Sequence, residues 1–165
     1  MGRKLLTLGV FLVMALGLFA GCGNNKYNAV LYDNAAEWIH EEFLQENLTK
    51  GAKPLESDVP DDDADLPDFK THIVTDIEKF NAIFKDFTPE VDFEKEMLIV
   101  YICTNIYMGS NYKLSSINLS DSILMVKVKR QTTGKVAHAA SSPQQRCFVI
   151  KMDKNNIVTV NFTVS

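Results

Sequence analysis

The sequence has few residues of the kinds that build metal centres and nucleophilic active sites. It contains three cysteines and three histidines in 165 residues, and no histidine has a second His or Cys at zinc-ligand spacing. It has no Gly-x-Ser-x-Gly elbow, no phosphate-binding loop and no dinucleotide-binding glycine motif. We therefore expect no metal, no cofactor and no enzymatic activity.

Long apolar runs are also scarce, and the longest stands at the N-terminus. Arg3 and Lys4 precede an apolar stretch over residues 5–20, which is too short for a stable spanning helix and typical of a signal peptide. The stretch ends in small residues directly before Cys22, which resembles a bacterial lipobox. The resemblance implies that residues 1–21 are removed, that Cys22 is lipidated, and that the protein is held on the extracytoplasmic face of a bacterial membrane. A plain secretory signal cleaved near Ala20 is the alternative.

An excess of positive charge is absent as well. The net charge is −4, and without residues 1–21 it falls to about −6, because 15 basic residues then face 21 acidic ones. This excludes a global signature of nucleic-acid binding. The remaining 144 residues suffice for one domain with a sizeable core. Cys103 and Cys147 could form one disulfide, but both lie in strand-like apolar runs where free cysteine behaves as a small hydrophobe.

The first half of the chain divides into a tether and a helix. Residues 22–33 have no clear period and are expected to be a tether. Residues 34–52 are predicted to be an N-terminal helix, with Asn34 as N-cap, Glu37 completing a capping box and Trp38 on the apolar face.

Residues 53–70 are rich in proline and acid, and we expect a solvated linker there, since proline removes hydrogen-bond donors and like charges repel. Asp61, Asp63 and Asp65 alternate as at the start of a calcium loop, so a cation-binding module is an alternative. However, Leu66 stands where that loop needs its turn glycine.

Residues 71–165 are predicted to form an α+β domain. Thr75 and Glu78 make a capping box before a helix that Pro89 closes. The run 97–103 is typical of a strand buried on both faces. Further strands are predicted over 71–76, 112–119 (weaker, with a bulge possible), 122–130, 146–152 and 157–164, with residues 153–156 as a hairpin turn between the last two. We expect an antiparallel sheet or partial barrel of about five to six strands with one or two packed helices.

Two features of this domain indicate binding. Residues 131–145 form a long polar connection, and such segments are often binding loops or contain an irregular edge strand. Residues 122–151 contain no Asp or Glu but six basic residues: Lys127, Lys129, Arg130, Lys135, Arg146 and Lys151. A one-sided basic surface favours an acidic partner, namely a protein, an anionic envelope polymer or membrane head groups. The alternative is a solvated face whose lysines protect a sheet edge from aggregation.

The order of elements resembles the C-terminal domain of PrcB-like proteins. The resemblance covers roughly residues 71–165 and rests on "TDIEKFNAIFKDF", "VDFEKEMLIVYICT", and "QRCFVIKM" preceded by Pro143. The family's Thr-Gly-Gly-Tyr turn corresponds here to residues 109–112, which keep the glycine and the tyrosine. These are small bacterial lipoproteins named for a component of a surface protease complex. The resemblance implies a non-enzymatic, protein-binding accessory module.

We expect this monomeric module to bind an extracytoplasmic protein, with a surface protease as one candidate, through its sheet edge and the 131–145 loop by strand addition or loop docking. The candidate contact residues are Tyr107, Asn111, Tyr112, Lys135, His138 and Arg146. A small hydrolase that uses His138 with Ser141 or Ser142 is an alternative function, since catalytic triads are recognised by geometry rather than by order.

Overall fold

The computed structural model describes residues 27–51, 65–107, 111–131 and 139–165, with the backbone alone for residues 105–107 and 139–144. The described segments form seven strands, one 3₁₀ helix and two α-helices. In chain order these are β1 (Val30–Tyr32), the 3₁₀ helix (Ala36–Trp38), α1 (Glu41–Glu46), β2 (Phe69–Val74), α2 (Ile77–Ile83), β3 (Glu96–Tyr107), β4 (Asn111–Ser120), β5 (Ile123–Gln131), β6 (Ala139–Asp153) and β7 (Thr159–Val164). None of the helices in these segments is long and apolar enough to cross a membrane.

The strands divide between two sheets. A large sheet has the order β1-β6-β3-β2 and is antiparallel throughout. A small sheet has the order β4-β5-β7, in which β4 and β5 are antiparallel and β7 runs parallel to β5. The predicted α+β class is confirmed. Across the described residues the two sheets do not close into a barrel.

The first core lies between the two sheets. One face of β3 contributes Met97, Ile99 and Tyr101, and β5 contributes Leu124 and Val126 from the opposite sheet. The alternation of a strand sends every second side chain inward, which explains why these positions share one face. This core joins the small sheet to the large one.

The second core lies on the other face of the large sheet, where α2 and residues 35–44 cover it. Leu98, Val100 and Ile102 point into this core. Residues 97–102 are therefore at most 6% exposed, and the prediction of a strand buried on both faces is confirmed. The molecule thus has three layers: helices, large sheet and small sheet.

The predicted single helix over residues 34–52 is wrong, because extended backbone at Ile39 divides it. Ile39 forms a β-bridge with Phe84, and the amide of His40 donates to the carbonyl of Ile83 at 2.9 Å. Tertiary pairing thus replaces the helical hydrogen bonds at this point. The segment nevertheless packs on the main domain, and Trp38 contacts the second core as predicted.

Two predicted boundaries and one cap also need correction. The predicted tether contains β1, whose Val30 pairs with Lys151. The predicted linker loses its last two residues to β2, which begins at Phe69. Asp76 rather than Thr75 caps α2, because its carboxylate accepts from the amide of Lys79 at 2.9 Å.

The predicted hairpin between the last two strands is wrong. Residues 153–156 carry the chain from the large sheet to the small one, where β7 pairs with β5. The amide of Val158 donates to the carbonyl of Ser122 at 2.8 Å, which sets the start of this pairing. The prediction of a strand over residues 157–164 is confirmed for Thr159–Val164, but the sequence pattern did not specify the partner of this strand.

A bulge in β4 reconciles two apolar patterns that are out of phase. The register passes from Leu114 opposite Val128 to Ser116 opposite Lys127, which leaves Ser115 as the extra residue. Tyr112 and Leu114 before the bulge, and Ile117 and Leu119 after it, all pack against the inter-sheet core. The extra residue therefore places the apolar side chains of both halves of β4 on the same, buried face of the sheet.

Candidate functional site

The outer face of the small sheet is the first candidate site. Alternation along β5 buries Leu124, Val126 and Val128 and leaves the intervening side chains exposed. The exposed residues include Lys127 and Lys129, and Lys113 of β4 lies on the same side. We call this surface, defined by Lys113, Lys127 and Lys129, the lysine face.

Charge on the lysine face is not balanced within the small sheet. Lys113 lies directly opposite Lys129 in the antiparallel register, and Lys127 lies two residues further along. None of the residues of β4, β5 and β7 is Asp or Glu. Among the described residues, no ion pair joins these three lysines to a carboxylate. Like charges directly opposite each other destabilise a strand pair, so the arrangement has an energetic cost.

Apolar side chains extend the lysine face along the same strand. Ile123 is 39% exposed and Met125 is 42% exposed on the outer side of β5. Asn118 and Asn161 flank Met125 on the neighbouring strands. The surface therefore combines a basic end, an apolar end and neutral hydrogen-bonding groups.

Two of the predicted contact residues, Tyr112 and Arg146, lie beneath the surface instead. Tyr112 is 9% exposed, and the Arg146 side chain is 12% exposed. The guanidinium of Arg146 sits 4.5 Å from the centroid of the Tyr112 ring and 5.4 Å from that of Phe148. We therefore assign both residues to the junction between the sheets rather than to a partner surface.

Asp33, which the sequence analysis assigned to the tether, organises this junction. Its carboxylate accepts from the amide of Tyr112 at 2.6 Å, and its carbonyl accepts from Nε of Arg146 at 2.9 Å. Nη2 of Arg146 lies 3.5 Å from the same carboxylate. A carboxylate separated from Arg146 by 113 positions gives no local signal in the sequence.

A second basic residue of the acid-free stretch, Lys151, is also paired, at 3.1 Å from Glu96.

The structure describes only some of the remaining predicted contact residues. Asn111 is exposed at the start of β4, opposite Gln131. Tyr107 pairs through its backbone with Ala139, and its side chain lies outside the description. Lys135 and His138 are outside the described residues, as is Cys22.

The described residues do not form a site for either of the two alternative functions, the hydrolase and the cation-binding module. Ser141 and Ser142 belong to β6, but their side chains lie outside the description, as does His138, so that catalytic group is not seen. Asp61 and Asp63 also lie outside, and Asp65 is exposed. Among the described residues, no group of three His, Cys, Asp or Glu side chains could hold a metal ion.

A cavity between the two sheets is the second candidate site. Its volume is about 270 Å³, and its lining residues come from both sheets: Tyr101, Cys103, Thr104, Tyr112, Phe148 and Val164. It lies at the end of the molecule where β4 begins and β7 ends.

The two cysteines of the fold do not form a disulfide. Ile102 rather than Cys103 lies opposite Cys147, so the two thiols point to opposite faces of the large sheet. Cys103 faces the first core and Cys147 the second. Burial raises the pKa of Cys103 to about 11 and that of Cys147 to about 12. Both thiols are therefore neutral at physiological pH, and neither is an activated nucleophile.

No protein-family model matches this chain, and no curated protein or solved structure matches it significantly. The fold and the two candidate sites therefore carry the functional argument by themselves.

Proposed function

We propose that this chain is a lipid-anchored extracytoplasmic lipoprotein that acts as a non-enzymatic accessory module and binds an acidic protein surface through the lysine face. The observation that carries the proposal is the direct opposition of Lys113 and Lys129 on a sheet without carboxylates. A neutral pair at these positions would make a more stable sheet. Carboxylates of an acidic partner attract both lysines and offset their mutual repulsion. The pair therefore contributes to binding rather than to the stability of the sheet.

The shape of the lysine face favours a macromolecule over a small anion. From Ile123 to Lys129 the strand extends roughly 20 Å, and the three strands are roughly 10 Å across between the outer axes. The lysines lie at one end of this surface, and exposed Met125 and Ile123 lie at the other. A protein can contact both ends at once. An interface of this size belongs to weak or transient complexes, in which charge mainly accelerates association.

The position of the first strand makes the proposed anchor short. The carbonyl of Tyr27 accepts from the amide of Asp153 at 2.9 Å, so the chain is already part of the fold at this residue. Five residue steps separate Cys22 from Tyr27, and they span at most about 18 Å. A lipid on Cys22 therefore holds the domain close to the bilayer, and its partner must be accessible there. A membrane-associated protease, which the PrcB-like resemblance implies, is one candidate.

The proposal is tested by the double variant Lys113→Gln, Lys129→Gln in the full lipidated chain. Affinity capture from solubilised membranes of the source bacterium, quantified by mass spectrometry, should lose at least one acidic protein that the unaltered chain retains at low salt. The stability of the variant should rise by about 0.5 kcal/mol at low salt, because the cross-strand repulsion is removed. At about 0.5 M salt the gain should shrink, since screening weakens exposed charges.

The double variant Lys50→Gln, Lys85→Gln is the matched control, because both lysines are exposed outside the small sheet and their substitution removes the same charge from another surface. The control should capture the same proteins as the unaltered chain. Capture that is identical for the double variant, the control and the unaltered chain contradicts the proposal. Equal losses in the double variant and the control contradict it too, because they indicate a response to total charge alone.

A further inference from the structure

The two sheets differ in width on the side of the molecule where β7 lies. β7 faces β3, since the Phe162 ring stacks on Tyr101 with the ring centroids 4.0 Å apart. Val164 and Cys103, further along the same two strands, line one cavity. The large sheet continues past β3 with β2, whereas β7 is the last strand of the small sheet among the described residues. β2 therefore extends beyond β7 and faces no described strand of the small sheet.

Apolar side chains remain partly exposed beside β7 for this reason. Phe69, Thr71 and Ile73 share the face of β2 that points toward the small sheet. Phe69 is 48% exposed although it stacks on Tyr101, and Ile73 is only half-buried. Val164, on the inward face of β7, is 39% exposed. A further strand beside β7 would cover these groups.

The backbone of β7 presents unpaired groups on the same side. The amides of Thr159 and Ser165 donate to carbonyls at the two ends of β5, at 3.3 and 3.0 Å. Because the peptide groups of a strand alternate in direction, Val160, Phe162 and Val164 point their N–H and C=O groups away from β5. Among the described residues, none forms a hydrogen bond with these groups. We call this row of donors and acceptors the free edge of β7.

The other edge strands of the two sheets have protection that β7 lacks. β1 has only three residues. β4 has its bulge at Ser115, and the amide of Tyr112 donates to Asp33. On β2, Lys70 donates to the carbonyl of Glu46 at 2.9 Å. β7 has no charged residue, no proline and no bulge. Proteins protect their edge strands by such devices, so the free edge of β7 can accept another strand.

The space beside β7 suits an extended segment rather than a second copy of the chain. Two copies joined through their β7 edges would bring both β2 strands to the same place, where they collide. A single segment can pair with β7 while its inward side chains contact Phe69 and Val164. Its outward side chains then lie beside Asn161 and Thr163, two strand spacings or about 10 Å from the Lys127 backbone. Carboxylates at this distance are attracted by Lys127, since about 10 Å is one Debye length at moderate salt.

We propose that the free edge of β7 binds an extended segment of the partner, which becomes a fourth strand of the small sheet. The segment alternates apolar residues, which pack beneath β2, with acidic residues, which lie on the side of the lysine face. The inference rests on the proposed function, because it specifies how the acidic partner binds.

The first test uses a short fluorescent peptide of alternating valine and glutamate, added to the full lipidated chain in nanodiscs of neutral lipid. Fluorescence anisotropy should show binding, and the same peptide with lysine in place of glutamate should bind at least about tenfold more weakly. Absence of binding by the valine–glutamate peptide overturns the site. Equal binding of the two peptides overturns the selection for acidic residues.

Backbone methylation of the valine–glutamate peptide tests strand addition directly and needs no protein variant to fold. One version carries N-methyl groups on the valines and the other on the glutamates. Only one side of a docked strand faces β7, so one version should lose at least about tenfold in affinity and the other less than about threefold. Equal losses in the two versions overturn pairing with the free edge.

Val164→Pro removes one free amide and leaves the hydrogen bonds to β5 intact, whereas Val164→Ala shortens the side chain and keeps the amide. The first variant should bind the valine–glutamate peptide at least about tenfold more weakly, and the second should change its affinity less than about threefold. Equal affinities of the two variants overturn the site.

Affinity capture from solubilised membranes separates this inference from the proposed function. Val164→Pro should lose the acidic protein that the Lys113→Gln, Lys129→Gln variant loses. An acidic protein that depends on the two lysines but is retained by Val164→Pro overturns the added strand and leaves the proposed function intact. If no captured protein depends on the lysines, the proposed function fails, and this inference fails with it.

Discussion

At the scale of single residues, Arg146 illustrates how a charged side chain can belong to the interior. It contacts Asp33 and lies over the rings of Tyr112 and Phe148, with only 12% of its side chain exposed. Its planar guanidinium can stack on rings and donate to Asp33 at the same time, which a lysine ammonium cannot reproduce. Arginine in this position connects Asp33, which directly follows β1, with β4 and β6 through one group.

We expect Arg146→Met to lower the free energy of unfolding by about 2 kcal/mol, because it leaves the partly buried carboxylate of Asp33 without its cation. Urea unfolding followed by circular dichroism measures this change. The control is Lys79→Met, which breaks an exposed ion pair with Asp76 and should cost less than about 0.5 kcal/mol. Equal effects of the two substitutions would show that Arg146 is not part of the interior.

The sequence could not reveal the role of Arg146 because its partner is remote. Arg146 was predicted as a contact residue within the acid-free basic stretch, and Tyr112 belongs to the turn that the PrcB-like resemblance singles out. Asp33 is 113 positions from the first and 79 from the second, and nothing in the local pattern indicates this proximity. Lys113 was not considered either, because it lies before the acid-free stretch and comes beside Lys129 only through the β4–β5 register.

At the scale of elements, the bulge at Ser115 determines which side of β4 is buried. Deleting Ser115 forces one half of the strand to present its apolar residues to solvent, since a shift of one residue reverses every side chain. We expect the deletion to destabilise the protein by at least about 3 kcal/mol, the cost of exposing residues such as Tyr112 and Leu114. Denaturant unfolding is the measurement.

Ser115→Ala provides the comparison for this deletion, because it keeps the chain length and alters only an exposed side chain. Its stability should stay within about 0.5 kcal/mol of the unaltered protein. A deletion variant as stable as Ser115→Ala would mean that β4 tolerates either register.

Local patterns predicted the strands better than they predicted the partners of those strands. The run 97–102 is apolar without interruption, so burial on both faces could be read directly. The alternation of β7 gives its buried face, but that face fits either sheet, and the parallel pairing with β5 depends on the whole topology. The prediction of one helix over residues 34–52 was wrong for a related reason. The bridge between Ile39 and Phe84 that interrupts it is a tertiary contact, which local sequence does not indicate.

At the scale of the whole molecule, the proposed anchor and the fold meet within a few residues. If Cys22 carries the lipid, Cys22→Ser should abolish incorporation of radioactive palmitate and prevent maturation of the chain, since the cysteine is the acylated residue. Metabolic labelling and gel mobility check this outcome. A Cys103→Ser chain should still be labelled, because it retains Cys22. Cys103 itself lies at the inter-sheet cavity rather than at the proposed anchor. A palmitate-labelled Cys22→Ser chain would contradict the anchor.

The pairing of β1 with β6 also determines when the fold can close during synthesis. Val30 lies opposite Lys151, so the edge of the large sheet joins residues about 120 positions apart. β7, near the end of the described chain, completes the small sheet. The β4–β5 hairpin has only a two-residue turn and can form early, whereas β1 cannot pair until β6 has been synthesised and the small sheet is not complete until β7 has been synthesised. Neither sheet is therefore complete until β6 and β7 have been synthesised. If the chain is exported as proposed, it keeps two incomplete sheets until these strands have left the ribosome.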